Sequence, residues 1–173
     1  MTNITKLHIK NPVIIFFLGF LLSLKSYALS QVQYPLLIPP NHQIKVHLAV
    51  TEQAQKKGLS GVKSEDFKAD QGMLFCFTKE EIKVFWMPDT RFNLDIFFLS
   101  NDLTVLDIER NMPSYPGFAN PEKIPRTRPI KARYVLEMRA DSPLAKKITK
   151  GIKLIWSHSK DLNQTISNAH LLQ

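Results

Sequence analysis

Cysteine is almost absent from this chain of 173 residues. Cys76 stands alone, so no intramolecular disulfide can form and the fold must rest on a packed core. Flanked by Phe75 and Phe77, that thiol has the surroundings of a buried, inert side chain. A nucleophile would need access and a lowered pKa. The sequence also lacks a nucleophile elbow, a glycine-rich phosphate loop and a catalytic Cys-His signature. Its histidines (His8, His42, His47, His158 and His170) show no metal-ligand spacing, so neither a metal site nor a cofactor is expected. Lysine and arginine are scattered without a stripe, which removes nucleic acid from the expected partners. There is no internal repeat, and no apolar run reaches the ~20 residues that a membrane-spanning helix needs.

What is present begins with an export pattern. Residues 1–11 carry Lys6 and Lys10 and no acid, and residues 13–24 (VIIFFLGFLLSL) are apolar apart from Gly19 and Ser23. Ser26-Tyr27-Ala28 then places small residues at the two positions a signal peptidase reads. Cleavage after Ala28 is the expectation, with an uncleaved anchor as the alternative, and the destination is periplasmic or secreted. No cysteine lies beside the site, which excludes lipoprotein processing. The remaining 145 residues suffice for one domain with a real core. Loss of Lys6, Lys10 and Lys25 lowers the net charge from +8 to +5, enough for a weak attraction to anionic envelope surfaces and no more. A monomer is expected.

The rest reads as mostly β. Residues 29–43 are a proline-rich lead-in, expected to be flexible. Ile44, Val46, Leu48 and Val50 alternate with Lys45, His47 and Ala49 in the manner of a half-buried strand. Thr51 can cap a short helix over 52–57, with Gly58 as its left-handed exit. Residues 73–77 form a continuous apolar strand, Lys79-Glu80-Glu81 a polar turn, and 82–87 its hairpin partner. Strands over 94–99, 103–109 and 132–138 follow. A second helix is then punctuated by Asp141 or Ser142, Pro143 and Gly151, and 152–156 makes a last strand. Residues 157–173 are polar and expected to be a loosely held tail. Short strands with tight turns predict a single β-sandwich or open barrel over 44–156, with one or two short peripheral helices.

Polar residues inside the apolar segments are the candidates for chemistry, because a buried charge must be paired or functional. Asp95 lies within LDIFF, as a general acid or base or as a buried acid paired to Arg133 or to backbone amides. Arg133 and Glu137 stand four apart on one strand and share a face; a structural salt bridge is the simpler reading, a polar pocket with Asp95 the functional one. Asp95 and Glu137 could also serve as the two carboxylates of a glycoside hydrolase if they flank one bond. Trp86 ends a strand beside Pro88, as core or as a platform for a sugar ring or apolar ligand. Residues 111–129 hold five prolines with Tyr115, Phe118, Arg126 and Arg128 between them. Such a loop is either a lid over a pocket or a rigid crossover.

Five stretches carry a resemblance: VHLAVTEQAQKKGLS, DQGMLFCF, FWMPDT, LDIFF and ARYVLEM. In their order and spacing, Val46 to Trp156 resembles domain-of-unknown-function family 192 (DUF192, also UPF0127). The resemblance implies a compact, β-sandwich-like domain, often exported, in bacteria and archaea, and it implies no reaction. Members usually show a Lys-Asn pair after the Trp-Met, where this chain has Pro88 and Asp89. They usually carry an arginine shortly after Gly-Leu-Met, where Ser60-Gly61-Val62 supplies none. Arg91 is the substitute nearest by position.

The residues point first to a non-catalytic module that binds a small molecule or envelope component in a pocket of Trp86, Asp95, Tyr115, Arg133 and Glu137. The alternatives are a hydrolase or lyase acting on cell-wall or polysaccharide material, and an envelope protein–protein interaction domain.

Overall fold

The central strands are apolar at successive positions, not alternate ones, because both faces of the sheet they form are covered. In the computed structural model, which describes residues 32–171, all six residues of the strand Leu94–Leu99 are buried. The expected signal segment and the expected cleavage after Ala28 lie outside the described residues. The strands are β1 (Tyr34–Ile38), β2 (His42–Ala49), β3 (Gln71–Lys83), β4 (Leu94–Leu99), β5 (Val105–Met112), β6 (Ile130–Arg139) and β7 (Ile155–Trp156). Helix α1 (Glu52–Lys57) follows β2, and α2 (Leu162–His170) follows β7. The strands make one sheet in the order β5-β4-β6-β3-β2-β1-β7. Every pairing is antiparallel except β2 with β3, which α1 and the segment after it connect as a crossover.

Of the two architectures expected, the open one is formed: a mostly β molecule whose sheet curls without closing. Its two edges are tied by one short segment. Val105 N–H donates to Ile152 O at 2.9 Å and Leu154 N–H to Leu103 O at 3.0 Å, and the chain then joins β1 as β7. One core, with Leu36, Ile44, Val46, Leu74, Phe97, Tyr134, Leu136 and Met138, lies on one face. A second, with Phe67, Met73, Phe75, Met87, Phe92, Ile96, Phe98 and Val135, lies on the other.

Several expectations are corrected. Within the lead-in expected over 29–43, Tyr34, Leu36 and Ile38 alternate into β1, and Leu36 and Ile38 are fully buried, so this stretch is not free. Apolar alternation outweighs the prolines around it. The tail over 157–173 contains α2, whose N-cap Asp161 accepts from Gln164 N–H at 2.8 Å and whose Thr165 and Ala169 are buried. The hairpin at Lys79-Glu80-Glu81 does not form. Instead β3 runs straight through, with a register shift between Cys76 and Glu81, and finds its partner in β6. The second helix shrinks to a 3-10 turn, Ala145–Lys147, although Ser142 Oγ does accept from Leu144 and Ala145 N–H, both at 3.2 Å.

The turn that replaces the second helix is tied to a buried acid. Asp95 is 3 % exposed and projects with Phe97 and Leu99 toward the first core. Its Oδ2 lies 2.6 Å from Arg110 Nη1, and its Oδ1 accepts from Asn111 N–H at 2.8 Å. Asn111 has φ +51 and sits in a register shift of β5 opposite Asp95. The bulge thus turns one extra amide into the carboxylate. Arg110 also donates to Ala145 O at 3.0 Å, which Ile148 N–H shares, and to Ile148 O, tying β5 to that turn. Asp95 is therefore paired to Arg110 and a backbone amide, not to Arg133. Asp95→Ala removes the acceptor of the Asn111 amide, while Arg110, 39 % exposed, keeps water and two carbonyls, so unfolding free energy is expected to fall by about 1–3 kcal/mol in chemical denaturation. A loss below about 1 kcal/mol would show that the tie is not structural.

Candidate functional site

Strand β6 sorts its side chains by parity. Tyr134, Leu136 and Met138 enter the first core, whereas Val135 enters the second. Glu137 shares the parity of Val135, and its cross-strand neighbours Met73 and Ile96 both belong to the second core. It is 4 % exposed. Burial alone pushes its carboxyl up to about 8, because no cation and no hydrogen-bond donor among the described residues offsets the desolvation. At neutral pH it is a protonated acid at the floor of a small, solvent-open cleft.

Three elements build the walls. Helix α1 supplies Gln55, Lys56 and Lys57, and the turn after it Gly58, Leu59 and Ser60. Thr51 Oγ1 accepts from Ala54 N–H at 3.2 Å to start this helix, and Gly58 ends it at φ +47. A Cβ on Gly58 would stand 3.2 Å from the Phe75 ring, so only glycine lets the chain leave the helix lying on that ring. Gln55 Nε2 donates to Cys76 O at 2.8 Å and pins α1 to β3. Strand β3 supplies Phe75 itself. The segment after β3 supplies Phe85, Trp86, Pro88 and Thr90, with Phe75 and Phe85 meeting edge to face at 4.8 Å.

The proline-rich loop is the backing of that segment. Thr127 N–H donates to Phe85 O at 2.8 Å, Met87 N–H to Pro125 O at 3.1 Å, Asp89 N–H to Gly117 O at 2.8 Å and Tyr115 N–H to Thr90 O at 2.9 Å. It is a rigid crossover, and by holding residues 85–90 in place it also serves as the outer wall behind the cleft. Trp86, 47 % exposed, stands at the mouth with the Arg126 guanidinium 5.7 Å from its ring centroid. Exposed Ile82 and Val84 continue from it along the same ribbon.

Of the residues singled out in the sequence, the structure brings Trp86 and Glu137 together. Asp95 does not join them. It pairs with Met138 while Ile96 pairs with Glu137, so the two carboxylates leave adjacent strands on opposite faces of the sheet. The Arg133–Glu137 salt bridge is not formed either. The Arg133 guanidinium lies 5.1 Å from the Tyr134 ring, with a buried Nη1 that has no partner. Tyr115 packs against the second core and donates its hydroxyl to Ala119 O and Asn120 O within its own loop. Cys76 is buried, and burial holds its thiol protonated.

The departures from the family pattern are legible in place. Val62 and Pro88 are buried. Asp89 has φ +47, a conformation that asparagine and aspartate tolerate. Its Oδ1 accepts from Gly117 N–H at 2.9 Å and lies 3.7 Å from Arg91. Sequence reasoning missed Gln55, Ser60, Phe85 and Thr90, although all four lie in or beside the stretches that carry the resemblance.

No curated protein matches the chain. Two solved structures are similar to it. A candidate transcription regulator from Sinorhizobium meliloti shares 28% identity, covers 72% of this chain and 92% of its own, and superposes with a TM-score of 0.57. A protein of unknown function from Novosphingobium aromaticivorans shares 25% identity over 76% of this chain and 98% of its own, with a TM-score of 0.57. The family model of DUF192, described as an uncharacterized ACR, matches residues 37–156, and the chain belongs to that family.

Proposed function

We propose that this protein is a non-catalytic binding module of the cell envelope, exported by its N-terminal segment, and that the cleft between Glu137 and Trp86 holds a small ligand. One observation carries the reading: Glu137 is buried at the cleft floor, and no hydrogen bond or ion pair from the described residues answers its carboxyl, which faces the cleft. A carboxyl desolvated by its surroundings yet open to the cleft is poised for a ligand group to answer it. The aromatic walls supply contact area, and the hydrogen-bonded loop behind them keeps the cleft preformed. The hydrolase or lyase reading loses its acid–base pair, since the sheet separates Asp95 from Glu137. The envelope-docking reading has exposed Ile82 and Val84 in its favour, and substituting both to serine separates it from the cleft reading.

Native mass spectrometry of protein purified gently from its own compartment is expected to show one extra small mass per chain. That mass is expected to be absent in Glu137→Gln and in Trp86→Ala, and retained in the remote Glu65→Gln. Wild-type protein that carries no adduct and acquires none from an extract of the same compartment would remove the cleft as a ligand site.

Glu137 also sets a stability profile. Its folded-state pKa, about 8, lies above the ordinary 4.5, so the folded state binds the extra proton between these values. Stability is therefore fully present below about pH 4.5 and is lost as pH rises toward 8, by up to roughly 1.4 kcal/mol per unit. Glu137→Gln, which cannot ionise, is expected to flatten that decline in denaturant titrations repeated across pH. A variant whose slope matches wild type would mean that Glu137 is not the group responsible.

A further inference from the structure

The cleft contains one ionisable group whose charge nothing around it answers. Two lysines reach the rim from α1, and both have acids beside them. Lys56 is engaged by Glu52 at 2.5 Å, and Lys57 Nζ lies with Asp89 Oδ2 against Gly61, where a Cβ would meet them at 3.4 and 3.2 Å. From β3 and from residues 85–90 the lining is Phe75, Phe85, Trp86, Pro88 and Thr90, none of them charged. Within the lining Glu137 is the one acid; farther along the same sheet face, Arg139 is engaged by Asp141 and Ser64, and His47 by Gln33.

The surfaces opposite it favour positive charge. Aromatic faces carry negative potential, and Trp86 already has the Arg126 guanidinium beside its ring. Phe75 and Phe85 stand at 88° to each other, so the two rings present differently oriented faces to one small volume. Helix α1 delivers its C-terminal end here, the end at which cations are favoured. An acid without a counter-ion, walled by rings at a helix C-terminus, is a site for an organic cation.

We propose that the cleft takes an alkylammonium group, its charge answered by Glu137 and its carbon body lying against Phe75, Phe85 and Trp86. This rests on the reading of the cleft as a ligand site and adds the charge of what it holds. No covalent bond changes. As the cation enters, the carboxyl proton leaves to solvent, because ammonium and neutral acid gain little from each other in a desolvated site. A neutral hydrogen-bonding ligand behaves in the opposite way: it uses the protonated acid and loses affinity once that acid ionises.

The test titrates ¹⁵N-labelled protein with n-butylammonium and tetramethylammonium, each beside a neutral partner, n-butanol and tert-butanol. The cations are expected to move the amide signals of Gly58, Leu59, Trp86 and Glu137. Their affinity should rise about tenfold per unit below pH ~8 and level off above it, following the ionised fraction of Glu137. Above that pH the alcohols should bind at least about tenfold more weakly, and Glu137→Gln, with an otherwise native spectrum, should lose the cations by a similar factor. N-acetyl-lysine amide distinguishes the source: tighter binding than n-butylammonium assigns the ammonium to a polypeptide, equal or weaker binding to a free amine. If the alcohols match the cations, if affinity falls with rising pH, or if acetate binds in their place, the charge assignment is wrong and the cleft still holds a ligand. If no probe moves the cleft signals, both readings fall.

Discussion

Covering both faces of one curled sheet is the constraint on which the rest of this structure depends. It makes β4 apolar at every position but one, and it leaves polar side chains on the central strands little route to water. Each such group must then be answered by protein or left as a deliberate deficit. Asp95 and Glu137 are one strand apart and take opposite solutions. Asp95 receives an amide from a bulge and a guanidinium that reaches on to two further carbonyls, which joins β4, β5 and the turn after β6 into one unit. Glu137 receives nothing, and the chain around it is arranged to leave a cleft open above it.

The two acids were legible in the sequence as anomalies, and their difference was not. Alternation placed Asp95 on the side opposite Leu94 and Ile96, and it put Arg133 and Glu137 on one face. What periodicity could not supply was the register between strands. The pairing of Asp95 with Met138 and of Ile96 with Glu137 fixes which face each acid takes, and that depends on long-range pairing of β4 with β6. Arg110 was invisible as a partner for the same reason, since a bulge had to turn Asn111 toward Asp95 first. Helix α1 was legible in full, cap and exit included, because Thr51 and Gly58 act within a few residues of the helix they bound.

The misread segments share a cause. Prolines at 35, 39 and 40 suggested a loose lead-in, and polar composition suggested a loose tail, yet both are ordered by apolar residues at strand or helix spacing. Composition reports what a segment lacks on average, whereas packing needs only a few side chains in register. Leu36 and Ile38 suffice for β1; Thr165 and Ala169, with Leu162 and Ile166 packed against the core, suffice for α2.

Placement of the cleft follows from the same economy of faces. The first core is closed by the curl of the sheet itself, through residues 151–156 and α2. The second has no such closure and is covered by α1, by residues 84–92 and by the proline-rich loop, pieces held to one another by backbone hydrogen bonds with few strand contacts between them. A seam between separately anchored pieces is where a cleft can persist without disturbing the sheet. Its floor is the rigid centre of the sheet and its rim a braced ribbon, so the geometry around Glu137 is set before any ligand arrives. Because the floor belongs to the sheet and the rim to a separately anchored ribbon, a change at a rim residue such as Pro88 need not move the acid beneath it.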